Sequence, residues 1–241
     1  SSIAVGTCET IIPKLSSVAQ NCGMSLIRTG FTRDDFDDDS LDDLFARLSE
    51  EDDLIMKDPE ITLEEMRNAV CFGAKAMLEK YDLQESYLDG FEYRGVIGEE
   101  RLVPWPELRR YVPRSSLERG RHGFGVIPAG NHFFEIQHIE EIMDEEECIK
   151  HGLFEKGVTF MIHSDGGLVS DDIGNLYGNR TTTKGYVKLL YNLRKLAMHS
   201  RDAMSHGSLS EKMTYYFGGD KFIQVRPDSY EGSRFLRAHH F

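Results

Sequence analysis

Residues 158–162 form a nearly continuous apolar run, the pattern of a strand buried on both faces, and the rest of the chain has to be arranged around it. Other short stretches carry the same preference. Apolar and β-branched residues dominate 3–12 and 24–29, on either side of a loop with Pro13, Asn21, Cys22 and Gly23. Residues 124–127 and 132–136 read as strands interrupted by Pro128-Ala129-Gly130, and 220–225 gives one more. Helical periods alternate with these strands. The clearest covers 62–81, opening with the capping box Thr62-Leu63-Glu64-Glu65 and gathering Met66, Ala69, Val70, Gly73, Ala74 and Met77 on one face. Leu41, Leu44, Phe45 and Leu48 mark a short amphipathic helix; 168–177, 185–203 and a helix capped by Ser229 follow, with 140–150 an acidic helix or loop. The pattern predicts an α+β fold with a mixed sheet core and helices outside.

With 41 acidic and 28 basic residues the formal net charge is −13, which excludes a protein that coats a polyanion by bulk charge. A phosphodiester partner has to be met locally. Residues 101–121 read as an irregular, basic stretch whose last thirteen residues hold five arginines, at 109, 110, 114, 119 and 121, and Arg109, Arg110 and Arg114 are the candidate RNA contacts. The acidic run over 34–53 is expected to be a solvated helix with charged flanks, since it lacks the spacing and central glycine of a calcium loop.

No apolar run approaches the ~20 residues of a membrane span, so no membrane association is expected. Cys8, Cys22, Cys71 and Cys148 form no close pair, which points to a reducing, cytoplasmic setting. With no initiator methionine and a last helix ending on Phe241, the 241 residues are expected to be a single domain that is an incomplete fragment of a longer one.

Three local sequences set a possible ligand beside glycine: Asn21-Cys22-Gly23-Met24, the stretch from Gly130 to Gln137 (Gly-Asn-His-Phe-Phe-Glu-Ile-Gln), and Met161-Ile162-His163-Ser164-Asp165-Gly166-Gly167. A thiolate and two imidazoles from separate strand edges can converge on a transition metal, and a thiolate can bridge two such ions. On spacing alone, hydrogen-bonded structural histidines account for the same residues.

These blocks, in this order and with Ile27-Arg28-Thr29 after the first, resemble the RtcB-type RNA-splicing ligase family. Residues 228–238 also resemble that family's Asp-Ser-x-x-Gly helix, so the likeness covers nearly the whole chain, yet only about the first half of a usual member. The resemblance implies a GTP- and manganese-dependent ligase that joins an RNA 3′-phosphate or 2′,3′-cyclic phosphate end to a 5′-hydroxyl end, with a metal-binding cleft formed by strand edges and loops. It implies that Cys22 bridges two Mn2+ ions, that His132 and His163 each ligate a metal, and that Asn131, Phe133 and Glu135 lie near the bound GTP. RNA ends are then the partners, DNA is not expected, and a complementary chain or C-terminal half would complete the catalytic unit.

Three departures stand against that pattern. Ala19 occupies the place of the family's metal-binding aspartate three residues before the cysteine. After His163, Ser164-Asp165-Gly166-Gly167 replaces a glycine, serine and arginine that meet phosphate, and Asp165 repels phosphate unless a metal intervenes. The guanylylated histidine is not identifiable, because His199, His206, His239 and His240 sit in no matching motif. The competing expectations are a catalytically degenerate relative with an RNA-binding or structural role, and another metal-dependent phosphotransfer or hydrolase reaction.

Overall fold

The structure is a computed structural model that describes residues 6–16, 22–50, 61–96, 102–127, 130–178, 186–201, 206–218 and 223–239. Among these the helices are α1 (Pro13–Ser16), α2 (Asp38–Glu50), α3 (Leu63–Phe72), α4 (Trp105–Leu108), α5 (Arg114–Gly120), α6 (Glu145–Lys150), α7 (Gly167–Gly178), α8 (Tyr186–Ser200), α9 (Leu209–Phe217) and α10 (Tyr230–Ala238). The strands are β1 (Gly23–Thr32), β2 (Phe133–His138) and β3 (Gly157–Ser164). The class is α+β, as the alternating periods predict. Ala19, Asn21, Pro128, Ala129, His240 and Phe241 lie outside the described residues, as do 3–5 and 220–222 of two predicted strands and 51–53 of the acidic run.

The chain divides into two compact units. The first comprises Asn21–Pro59 and His122–Gly167, and its centre is a three-stranded sheet in the order β1-β3-β2. Both pairings are antiparallel, so the sheet is not mixed as expected. The apolar run takes the middle position, with Gly157, Val158 and Thr159 buried. Thr29 Oγ1 donates to the Val158 carbonyl at 2.6 Å, tying β1 to that end of β3. The β1–β3 register shifts between Arg28 and Thr32, where Gly30 removes one side chain from the irregular segment. β1 is an edge strand, and Met24, Leu26, Ile27 and Phe31 on it are exposed. Residues 124–127 form a turn and an irregular segment instead of the predicted strand, because Gly125 takes a left-handed φ of +76° that an extended run cannot contain.

The second unit comprises Ser1–Gln20, Glu60–Arg121 and Leu168–Phe241 and is mainly helical. Thr62 caps α3 as its sequence predicts: its Oγ1 accepts the Glu65 N–H at 3.2 Å while Glu65 Oε2 accepts the Thr62 N–H at 2.6 Å. The predicted 62–81 helix stops early, however. Gly73 caps α3 at φ +68°, and the chain tightens into a 3-10 turn over Gly73–Met77. α7 presents Val169, Ile173, Leu176 and Tyr177 to the core, which also holds Ile61, Leu108, Val112, Leu117 and Phe235. The strands predicted over 3–12 and 220–225 shrink, in their described parts, to one antiparallel bridge between Ile11 and Val225, since among the described residues neither segment has a further strand beside it. The arginine-rich stretch is not irregular: α4 and α5 form there, with Pro104, Pro106 and Pro113 at helix starts, where a missing N–H costs no hydrogen bond.

Candidate metal centre

The antiparallel register explains why residues so distant in sequence meet. β1 and β2 both begin where β3 ends: Gly23 faces Ser164, while Met24 and Phe133 both face His163. Cys22, immediately before β1, and His132, immediately before β2, are therefore carried to the C-terminal end of the central strand.

There Cys22 Sγ lies 3.2 Å from His163 Nε2 and 3.9 Å from His132 Nε2, and the two imidazole centroids are 5.3 Å apart. These three donor atoms lie within 4.8 Å of one another, a set that could hold a metal ion, and no other such group of His, Cys, Asp or Glu occurs among the described residues. Cys22 is exposed and both histidines are half-buried, so the group faces solvent through the thiol.

The backbone sets the tautomer of His163. Its Nδ1 stands 3.0 Å from the Gly23 carbonyl, which can only accept, so Nδ1 carries the proton and Nε2 presents a lone pair toward Cys22. Asn131 Nδ2 donates to that same Nε2 at 3.3 Å. The structure thus places Asn131 against His163, and the Phe133 ring packs on the same histidine at 5.4 Å between centroids. Glu135, two residues along β2, is exposed and accepts from Gln137 Nε2 at 2.7 Å.

Asp165 is the residue whose position the sequence did not reveal. Its Oδ2 lies 3.4 Å from His132 Nε2, with side-chain exposures of 9% for the aspartate and 6% for the histidine. The signal available in sequence is the Asp165-Gly166-Gly167 turn, in which Oδ1 accepts the Gly167 N–H at 2.6 Å and aims the carboxylate.

The arginines belong to the other unit and divide into two groups. Arg119 approaches Asp171 and Asp172 at 3.7 and 3.6 Å, and Arg121 contacts Glu118 at 3.5 Å and donates to the Ile61 carbonyl at 3.1 Å. Arg109, Arg110 and Arg114 are exposed and make no ion pair among the described residues.

All four cysteines are free, and among the described residues no helix is long and apolar enough to cross a membrane. Comparison with known proteins adds the lineage. A protein of Methanopyrus kandleri named tRNA-splicing ligase RtcB is 30% identical over 158 residues, 61% of this chain and 16% of that protein. Its namesake from Archaeoglobus fulgidus is 31% identical over 150 residues, 59% of this chain and 29% of that protein. RNA-splicing ligase RtcB homolog 1 of Entamoeba histolytica is 29% identical over 154 residues, 59% of this chain and 26% of that protein. The chain therefore spans less than a third of the length of these relatives. The model of the family described as tRNA-splicing ligase RtcB matches residues 2–218, a stretch that includes Cys22, His132 and His163, and the chain belongs to that family.

Proposed function

We propose that this chain contributes the metal-binding part of a GTP- and manganese-dependent RNA ligase that joins 3′-phosphate or 2′,3′-cyclic phosphate ends to 5′-hydroxyl ends. The observation that carries this reading is the convergence of Cys22, His132 and His163 at one end of β3, in a member of the RtcB family. The donor chemistry fits a divalent transition ion: two neutral imidazoles offer one lone pair each, and a thiolate has lone pairs enough for two ions. Cys22, His132 and His163 would hold the metal, and when bound it would neutralise phosphate charge and orient the reacting ends. The protein's own part is preorganisation. The Gly23 carbonyl holds the His163 ring in its ligating tautomer, and the Phe133 ring packs on it.

Asn131, just before β2, and Phe133 and Glu135 on it lie at and beyond this centre, which supports placing the guanine nucleotide beside it. Arg109, Arg110 and Arg114, exposed and without ion pairs among the described residues, are the surface we assign to the RNA backbone. The family match runs through both units, which supports reading the chain as one RtcB-type domain. Its small share of each relative's length supports completion of the catalytic unit by a second segment or chain. Free thiols throughout suit a reducing, cytoplasmic setting. Ala19 favours a second reading, a relative that keeps the fold for RNA binding without catalysis.

Metal content after manganese incubation separates the two. Retained manganese that disappears in Cys22→Ala supports the ligase-type centre, and guanylylation and end-joining assays then follow on the completed unit. No retained metal assigns the scaffold role.

A further inference from the structure

The exposed arginines of the helical unit stand beside two aromatic rings. The chain stays helical from α4 as far as Val112: the Arg109 N–H donates to the Trp105 carbonyl at 3.0 Å and the Val112 N–H to the Leu108 carbonyl at 2.9 Å. Leu108 and Val112 turn to the core, 1% and 0% exposed. At about 3.6 residues per turn, Trp105 and Tyr111 then fall on opposite flanks of that buried stripe, and the exposed side between them carries Arg109 and Arg110.

Each ring is overlaid by an arginine from another helix. The guanidinium carbon of Arg67, on α3, lies 5.2 Å from the Trp105 ring centroid, and that of Arg237, on α10, lies 5.7 Å from the Tyr111 centroid. Arg67 Nε is buried with no hydrogen-bond partner among the described residues, so the indole is its main compensation. Arg237 also pairs with Glu107 at 2.9 Å, which engages the one acidic residue between positions 105 and 114. Both rings are half-buried, and part of each remains in contact with solvent.

Phosphate contact alone calls for no rings. A duplex keeps its base faces inside its own stack, so it would meet this surface through the exposed arginines only. An unpaired base has a free face, and a guanidinium lying over an aromatic ring is a flat, cationic platform that matches it. Cations interleaved with such platforms grip a single strand without reading its sequence.

We propose that this surface takes single-stranded RNA, its phosphates on the exposed arginines and its unpaired bases on the Arg67–Trp105 and Arg237–Tyr111 pairs. The inference rests on the assignment of Arg109, Arg110 and Arg114 to RNA and adds to it the class of RNA and the groups that select it. Arg67 and Arg237 come from helices distant in sequence, so the arginine-rich stretch by itself does not contain the platform.

Trp105 is the only tryptophan of the chain, so its fluorescence reports on this surface alone. The test titrates the full chain with an oligouridylate, free or annealed to oligoadenylate, and reads Trp105 fluorescence together with the anisotropy of a labelled strand. The single strand is expected to quench Trp105 and to bind at least about tenfold more tightly than the duplex, the order of affinity that one stacked base supplies. Tyr111→Leu is expected to weaken single-strand binding about tenfold while leaving the slope of log K against log salt unchanged, because the lost contact is not ionic. If the single strand binds without altering Trp105 fluorescence, or the duplex binds as tightly, the stacking assignment is overturned and the arginines remain a phosphate surface. If neither form binds, the RNA assignment itself is wrong and this inference falls with it.

Discussion

His199 illustrates how burial determines the chemistry of a single residue. It lies in the helical unit, 1% exposed, donating from Nε2 to the Leu176 carbonyl at 3.0 Å and stacked on Tyr216 with centroids 3.4 Å apart. Burial, and then the Arg234 guanidinium, hold its pKa well below the ordinary 6.5, so the ring is neutral in the fold. In the unfolded chain the same ring takes up a proton near about pH 6.5. The unfolded state therefore binds more protons below that pH, and the contribution of neutral His199 is full above it and lost as pH falls through it. Urea midpoints are expected to fall between pH 7 and pH 5, and the fall is expected to be smaller in His199→Gln. Equal falls in both proteins would assign the acid sensitivity to other groups. No comparable role attaches to Cys71, a small buried core residue whose thiol burial pushes up in pKa.

At the scale of elements, the end of α3 shows a local period overruled by packing. Apolar residues continue at helical spacing beyond Phe72, yet Gly73 turns the chain with a φ of +68°. A Cβ built on Gly73 would stand 2.3 Å from the Gly95 carbonyl oxygen and 2.8 Å from Val96 Cγ2. Both the conformation and the approach require glycine. Gly73→Ala is expected to lower stability by at least about 1–2 kcal/mol, the ordinary cost of a left-handed alanine before any clash is counted. Gly90→Ala, where an added Cβ would meet nothing within 4 Å, is the matched control and should change the denaturation midpoint little.

For the whole molecule, the governing quantity is a net charge of −13, which the proposed RNA partner, itself a polyanion, would have to meet. Binding then depends on where cations remain available. Arg119 and Arg121 are engaged within their own unit, which leaves Arg109, Arg110 and Arg114 of the cluster exposed. Replacing these three with alanine is expected to weaken RNA binding and to reduce the slope of log K against log salt by about two, the release expected for three neutralised phosphates on a single strand. An unchanged affinity and slope would place the RNA surface elsewhere.

What the sequence determined by itself is what short-range physics controls. The apolar run of β3, the Thr62 and Ser229 caps, the periods of α2, α7 and α8, and the identity of the candidate ligands are all legible within a few neighbouring residues. The tertiary structure decided what depends on long-range register. Cys22 is 110 positions from His132 and 141 from His163, and only the antiparallel pairing of β1 and β2 with β3 brings them to one strand end. The same holds for the antiparallel character of the sheet, for the break at Gly73 imposed by Gly95, and for the arginines engaged by Asp171, Asp172 and the Ile61 carbonyl. Asp165 makes the distinction plainest: its sequence marks a charge beside a histidine, and its contact with His132 exists only because two strands end at the same place.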